Sequence, residues 1–147
     1  MASRSTAKTR MPGSFFDTNV LAYIASGDTA KAERAEAVIA QGGTISVQVL
    51  NELSNVARRK MGLSWAETHV LLSTLRGVLT VEPVTIETHE TGLAFAERYG
   101  FSIFDAMIAA SALRAGCDTL FSEDMQHGMT LKEGLGIRNP FKAARRP

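Results

Sequence analysis

The chain has a single cysteine, Cys117, and no long apolar run. One thiol cannot form an internal disulfide, and its place beside a predicted strand predicts a reduced core residue. No stretch approaches the roughly 18 apolar residues of a membrane-spanning helix, and the first ten residues lack the apolar centre of a secretory signal. We therefore expect a cytoplasmic protein without a membrane segment.

Three kinds of functional site also lack their usual signatures. None of the three histidines shows the paired spacing that binds zinc. Gly42-Gly43 is not followed by the Lys-Ser/Thr of a phosphate-binding loop, and Ser122 has no His/Asp context that marks a nucleophile. These residues are therefore weaker candidates for chemistry than the carboxylates described below.

Charge is unevenly distributed along the chain, although the formal net charge is only +1. Residues 1–13 and 138–147 hold seven of the sixteen basic residues and no acid, which leaves nine basic against fifteen acidic residues in 14–137. We expect one domain at 14–141, a disordered basic tail at 1–13 and a basic tail at 142–147. Alternatively, the basic ends would steer a polyanion toward an acidic cleft.

Short apolar runs alternate with helical patterns along the rest of the chain. Strands are predicted at residues 14–16, 44–47, 80–84, 120–121 and, at a sheet edge, 135–138; Pro83 suits an edge or a strand end. Helices are predicted near 20–26, 30–41, 50–60, 65–79, 86–99 and 103–116, with a capping box at Ser64 and Glu67. This alternation predicts an α/β fold with a mostly parallel sheet and helices on both faces.

Four acids follow predicted strands or lie at predicted helix starts: Asp17, Glu52, Asp105 and Asp124. In a parallel sheet, such positions converge at one edge. Carboxylates held close together repel each other unless they bind cations or share protons, and hard oxygen ligands suit Mg²⁺ or Mn²⁺. Two such ions about 3.5–4 Å apart would activate a water and stabilise the leaving oxygen of a phosphodiester.

A simpler explanation treats these acids as helix caps and solvated loop residues. Asp105 in particular suits a helix N-terminus, where the dipole favours negative charge. For Asp17 we expect no cap role, because it follows two Phe residues in a predicted central strand. Glu123 adjoins Asp124 and would share its role, although alternation along an extended segment points it elsewhere. The run Arg58-Arg59-Lys60 either contacts phosphates or compensates a helix dipole.

Four segments carry a resemblance to a known family: FFDTNVLAY, ISVQVLNEL, FSIFDAMIAASA and TLFSEDMQHG. In order and spacing they resemble the motifs of PIN-domain ribonucleases, with the closest likeness to VapC-type toxins of bacterial toxin–antitoxin pairs. The likeness runs from about Phe15 to Phe141, and Asn139-Pro140-Phe141 is similar to the usual ending of that group. The resemblance implies a three-layer α/β/α fold, a Mg²⁺ or Mn²⁺ site and endonucleolytic cleavage of RNA.

The same resemblance implies roles for individual residues. Asp17, Glu52, Asp105 and Asp124 fall on the family's acidic, catalytic and metal-binding quartet, with Asp17 and Asp105 as the main metal ligands. Ser122 falls on a Ser/Thr position that often accompanies the last acid, and Asn19 would orient groups near Asp17. The expected partners are an RNA substrate, a second copy of the chain, and an antitoxin that inserts an Arg near these acids. Helices between residues 28 and 60 would receive its apolar anchors.

Three other functions remain open at this point. A housekeeping RNA-processing nuclease would have the same site. A phosphatase would use Asp17 as its nucleophile, but that chemistry usually has a second acid two residues later, where Asn19 stands. A catalytically silent RNA-binding or protein-interaction module would not need the full quartet.

Overall fold

The computed structural model describes residues 13–142 and shows a five-stranded sheet flanked by helices. The strands are β1 (Gly13–Phe16), β2 (Thr44–Ser46), β3 (Thr80–Glu82), β4 (Cys117–Phe121) and β5 (Gly136–Arg138). Their order across the sheet is β3-β2-β1-β4-β5, and each neighbouring pair is parallel. The predicted α/β class with a mostly parallel sheet is confirmed.

Six helices connect these strands within the described residues. They are α1 (Thr18–Ala22), α2 (Thr29–Ile39), α3 (Val47–Arg59), α4 (Trp65–Val78), α5 (Ile86–Tyr99) and α6 (Ile103–Arg114), and a 3-10 helical turn (Tyr23–Ala25) follows α1. The predicted bounds of α5 are correct, and the predicted capping box at Ser64 and Glu67 is present. Pro83 directly follows β3, which is an edge strand. This agrees with the prediction that Pro83, which has no N–H to donate, suits an edge or a strand end.

Helix α3 begins earlier than the sequence predicted. The Ser46 side chain accepts a hydrogen bond from the Val49 amide and caps the helix, so Val47 is helical rather than the last residue of β2. Glu52 consequently lies in the second turn of α3, not near its start. The prediction was wrong because a β-branched residue after an apolar run favours a strand, whereas the local cap favours a helix.

Both faces of the central strand are covered. Phe15 and Phe16 follow each other in β1, so their side chains point to opposite faces of the sheet, and both are 0% exposed. Helix α6 packs against β2, β4 and α5, while α1 packs against α3. A central strand buried on both faces requires a layer of helices on each side, as the three-layer prediction stated.

The predicted core thiol is confirmed: Cys117 is free and buried in β4, and burial raises its pKa. No helix among residues 13–142 is long and apolar enough to cross a membrane. The predicted tails at 1–13 and 142–147 lie almost wholly outside the described residues, and the domain limits stay a prediction.

Alanine at two glycines should change stability in opposite directions. A Cβ at Gly43 (φ 154°) would lie 2.7 Å from the Ser14 carbonyl oxygen of β1 and 2.6 Å from the Phe16 ring. Because backbone of the central strand cannot yield, Gly43→Ala should lower the free energy of unfolding by about 1–3 kcal/mol. Gly77, in the last turn of α4, has open space around its Cα, so Gly77→Ala should raise it by about 0.5 kcal/mol. Urea denaturation measures both, and equal effects would contradict this account.

Candidate active site

The structure brings the four predicted acids to one open cavity of about 580 Å³. Asp17 follows β1, Glu52 lies on α3, Asp105 lies in the first turn of α6, and Asp124 follows β4. Since all five strands run in parallel, the ends of β1 and β4 meet at the same edge of the sheet. The predicted convergence of these side chains is therefore observed, while their chemical roles stay a prediction.

Asp17 is the most buried of these acids, with 5% of its surface exposed. It is the N-cap of α1: Oδ1 accepts a hydrogen bond from the Thr18 amide at 2.7 Å. The expectation that it had no cap role was wrong, because the chain turns directly from β1 into a helix. Its second oxygen accepts from Ser122 Oγ at 2.8 Å, so the carboxylate is held from both sides.

The pKa of the Asp17 carboxyl is raised to about 6: burial is the largest cause, the hydrogen bonds from Ser122 and Thr18 oppose it, and the charges of Asp105 and Glu52 add to it. The pKa of Asp105 is also raised, first by burial and then by Asp124 and Glu52. The carboxylates thus disfavour each other's charge. A cation placed between them would offset this cost.

Glu52 faces the cavity rather than bulk water. Its carboxylate accepts hydrogen bonds from Thr18 Oγ1 at 2.7 Å and from Gln48 Nε2 at 2.9 Å. The same Gln48 amide lies 3.3 Å from the Phe104 carbonyl oxygen, directly before Asp105. This side chain therefore ties α3 to the start of α6 and fixes where Glu52 stands relative to the other acids.

Asp105 and Asp124 are held less tightly. Ser102 caps α6 by accepting a hydrogen bond from the Asp105 amide at 3.2 Å, so Asp105 also satisfies the simpler explanation of a helix N-terminal charge. Its side chain nevertheless lines the shared cavity. Asp124 lies in the loop after β4 and is the most exposed of the four.

Ser122 and Asn19 form hydrogen bonds that hold Asp17 and the loop after β4 in place. Ser122 is fully buried; its hydroxyl donates to Asp17 and accepts from the Met125 amide at 3.2 Å. Asn19 accepts from the Glu123 amide at 3.0 Å, and its own amide lies 3.5 Å from Asp17 Oδ2. Both side chains therefore connect the start of α1 to the loop that carries Asp124.

Glu123 lines the cavity beside Asp124, but its carboxylate is engaged by side chains outside the predicted set of acids. Its carboxylate accepts a hydrogen bond from the Tyr23 hydroxyl at 2.8 Å and forms an ion pair with Lys31. The Lys31 ammonium also lies 4.7 Å from the Tyr23 ring centroid and 5.3 Å from that of Phe141. Sequence reasoning missed Lys31, since it has the spacing of a solvated face of α2 and nothing local marks its partner.

Removing the Ser122 hydroxyl should lower the affinity of the cavity for Mn²⁺ by about 10–100-fold. This is the usual loss when a group that orients a metal ligand is removed. Ser122→Ala removes a hydrogen bond that lowers the pKa of Asp17, so Asp17 would stay protonated to higher pH. We expect the pH at which Mn²⁺ binding rises to shift upward. Ser111→Ala is the matched control, because Ser111 is also buried but its hydroxyl has no partner among residues 13–142. A pH profile unchanged in Ser122→Ala would contradict this role.

The donor chemistry of the cavity suits Mg²⁺ or Mn²⁺, although the described residues contain no ready-made set of three closely placed ligands. Mg²⁺ usually keeps several waters and binds through one or two carboxylates, so a closed protein cage is not required. The hydrogen bonds to Asp17 leave lone pairs on both of its oxygens. The carboxylates of the cavity thus have the donor chemistry that such an ion takes, while Asp17 and Asp105 as its main ligands stay a prediction.

Solved structures with a similar fold include several toxins. A toxin–antitoxin complex from Klebsiella pneumoniae matches with a TM-score of 0.68 and 19% identity, covering 88% of this chain and 99% of that chain. VapC20 of Mycobacterium tuberculosis, described as a sarcin–ricin loop cleaving toxin, has a TM-score of 0.62 and 24% identity over 76% of this chain and 91% of that chain.

VapBC2 of Rickettsia felis, solved with a DNA fragment from its promoter, has a TM-score of 0.64 and 18% identity, covering 86% of this chain and 97% of that chain. At these identities the likeness shows a shared fold. Among curated protein sequences, no significant match to the chain was found. The family model of the PIN domain, however, matches residues 14–128. Since that match spans well over half of the chain, the protein belongs to the PIN-domain family, a family of nucleases.

Proposed function

We propose that this protein is a Mg²⁺- or Mn²⁺-dependent endoribonuclease and the toxin of a toxin–antitoxin pair. The observation that carries the proposal is that all four predicted acids line one cavity, and that two of them have raised pKa values. Such a site suits a cation that binds a phosphodiester, since the cation offsets the negative charge of the carboxylates and of the phosphodiester.

In the proposed reaction, Asp17 and Asp105 would hold the ion, which supplies Lewis acidity and lowers the pKa of a water. The chain's own contribution is orientation. Thr18 and Ser122 fix both oxygens of Asp17, and Thr18 also fixes Glu52. The water oxygen would attack phosphorus and release a proton to solvent, the bond from phosphorus to the leaving ribose oxygen would break, and that oxygen would take up a proton from solvent. Asp124, exposed at the rim, is the acid best able to approach the water or the leaving group.

RNA is the proposed substrate because of the motif resemblance and because one protein of this fold is described as a sarcin–ricin loop cleaving toxin. The phosphatase alternative loses support, since Asn19 is engaged with the Glu123 amide and no acid stands in its place. The housekeeping nuclease and the silent module remain alternatives that activity and growth assays separate.

An antitoxin partner is proposed because two proteins of this fold were solved as toxin–antitoxin or VapBC assemblies. Its inserted Arg would pair with Asp17, Asp105 or Asp124, since a planar guanidinium suits paired carboxylates. The helices between residues 28 and 60 stay the proposed receivers of its apolar anchors. Of these, α3 also lines the acidic cavity, whereas α2 contributes no lining residue to it. A homodimer and a cytoplasmic location also remain proposals.

The proposal is tested by incubating the purified protein with cellular RNA and Mg²⁺ or Mn²⁺, and by sequencing the new RNA ends. We expect cleavage at few sites that stops on addition of EDTA. Expression without its partner should then arrest growth of the native host. Metal-dependent cleavage without growth arrest would favour the housekeeping nuclease, and no cleavage by the folded protein with either metal would contradict the enzyme assignment.

A further inference from the structure

Helix α3 leads away from the acids toward a basic end. Glu52, Asn55, Val56 and Lys60 all line the acidic cavity and recur at helical spacing. At about 1.5 Å per residue, Lys60 stands roughly 12 Å along the axis from Glu52. The wall of the cavity thus changes from acidic to basic along one helix.

A second groove, of about 510 Å³, adjoins this basic end. It is lined by Asn51, Ser54, Asn55, Arg58, Arg59 and Trp65. Asn55 lines both this groove and the acidic cavity, so the two adjoin at this residue of α3. We call the second one the Trp65 groove.

Trp65 and Arg58 form a flat, exposed surface in the Trp65 groove. The indole is 62% exposed at the start of α4, and the Arg58 guanidinium carbon lies 4.2 Å from its ring centroid. Arg58 is fixed there, because it donates a hydrogen bond to the Leu63 carbonyl oxygen at 2.7 Å. Compensation of the α3 dipole explains basic residues at this helix end, but it does not explain an exposed indole beside them.

The charge of the Trp65 groove is positive. Arg58 and Arg59 line it, and Lys60 lies at the junction with the cavity. The nearest acid in the sequence, Glu67, is engaged in the cap of α4, where it accepts a hydrogen bond from the Ser64 amide at 2.8 Å. A bound polyanion would therefore meet acids at one end of α3 and cations at the other.

We propose that the single-stranded RNA flanking the cleaved phosphate runs along α3 into the Trp65 groove, where one base stacks on Trp65. Arg59 and Lys60 contact its phosphates. Aromatic faces that accept any base, combined with basic side chains along the backbone, are how proteins bind single strands without reading their sequence. The separation of about 12 Å between Glu52 and Lys60 along α3 corresponds to roughly three stacked nucleotides at ~3.4 Å each, or to fewer if the strand is extended. This proposal rests on the proposed RNA substrate.

Trp65 is the only tryptophan of the chain, so its fluorescence reports on this site directly. A single-stranded RNA 12-mer added to the wild-type protein in EDTA should quench the emission to saturation, whereas a dinucleotide should not. Arg59→Ala should weaken binding of the 12-mer and reduce the salt slope by about 0.7, the value for one phosphate contact on a single strand. Arg76→Ala, at the last turn of α4, is the matched control and should change neither.

Cleavage kinetics separate this role from a structural one. Trp65→Ala should raise KM for the 12-mer about tenfold with kcat unchanged, and Trp65→Phe should restore most of the loss. Val70→Ala, on the same helix and 66% exposed, should leave both constants unchanged.

Two results would overturn the Trp65 proposal while leaving the nuclease intact: metal-dependent cleavage of the 12-mer without quenching, or a normal KM in Trp65→Ala. A third is that Trp65→Ala weakens binding of a co-purified protein partner but not of RNA, which would make the groove a protein interface. Quenching by RNA without any cleavage would support the groove and contradict the proposed enzyme instead.

Discussion

Asp17→Asn or Asp105→Asn is expected to lower RNA cleavage by about 10²–10³-fold. A catalytic metal supplies several kcal/mol of charge stabilisation, and each 1.4 kcal/mol corresponds to a factor of about ten in rate. Either substitution removes a carboxylate from the cavity while preserving the shape of the side chain. Initial rates with a labelled RNA, at saturating Mn²⁺, measure the effect.

Asp118→Asn provides the matched control for this experiment. Asp118 lies on the same sheet, in β4, but its side chain is exposed and, among residues 13–142, bonds only to the neighbouring Thr119 hydroxyl. We expect wild-type cleavage from this variant and an unchanged circular dichroism spectrum from all three. Full activity in either Asp17→Asn or Asp105→Asn would show that the acids are not a metal site.

The same substitution at Asp17 should stabilise the protein when divalent cations are absent. Because burial raises the pKa from 3.8 to about 6, the folded state carries a cost for the charged carboxylate at any pH above 6. That difference in pKa corresponds to at most about 3 kcal/mol. As the pH falls through 6 the carboxyl takes up a proton, so the cost is lost and the gain from Asp17→Asn shrinks. Urea denaturation at pH 7.5 and pH 4.5 compares the two proteins.

Features set by nearby residues could be predicted from the sequence. Helix α5 has its predicted bounds because both ends are locally specified: Thr85 caps the first turn, and Gly100 ends the helix with φ 75°. The meeting of Asp17 and Asp124 could be predicted as well. A parallel sheet places the ends of its strands at one edge, whatever the details of the loops.

Features set by distant side chains could not be predicted. Lys31 and Glu123 are 92 residues apart, and the spacing of Lys31 on α2 is that of a solvated position. The groove at Trp65 depends in the same way on how the loop between α3 and α4 places Arg58 against the indole. Local patterns specify where elements begin and end, whereas these contacts follow from packing between elements.

Mn²⁺ is expected to raise the melting temperature of the wild-type protein by roughly 10 °C. An ion that binds only the folded state adds about 2.7 kcal/mol at a hundredfold excess over Kd, and about 1 kcal/mol shifts the midpoint by ~4 °C in a domain of this size. Burial, and to a lesser extent the neighbouring charges, raise the pKa values of Asp17 and Asp105, and an ion that offsets this cost would gain affinity, which lowers its Kd. Differential scanning fluorimetry at pH 7.5, with and without millimolar Mn²⁺, measures it.

The pH dependence and a double variant make this result specific to the site. At pH 5 a carboxyl with a pKa of about 6 is roughly 90% protonated, so the apparent affinity for Mn²⁺ should fall about tenfold through Asp17 alone. The double variant Asp17→Asn/Asp105→Asn should melt at the same temperature with and without Mn²⁺, whereas Asp118→Asn should respond like the wild type. A shift that persists in the double variant would place the ion elsewhere on the protein, and no shift in the wild type at pH 7.5 would rule out a site formed before RNA binds.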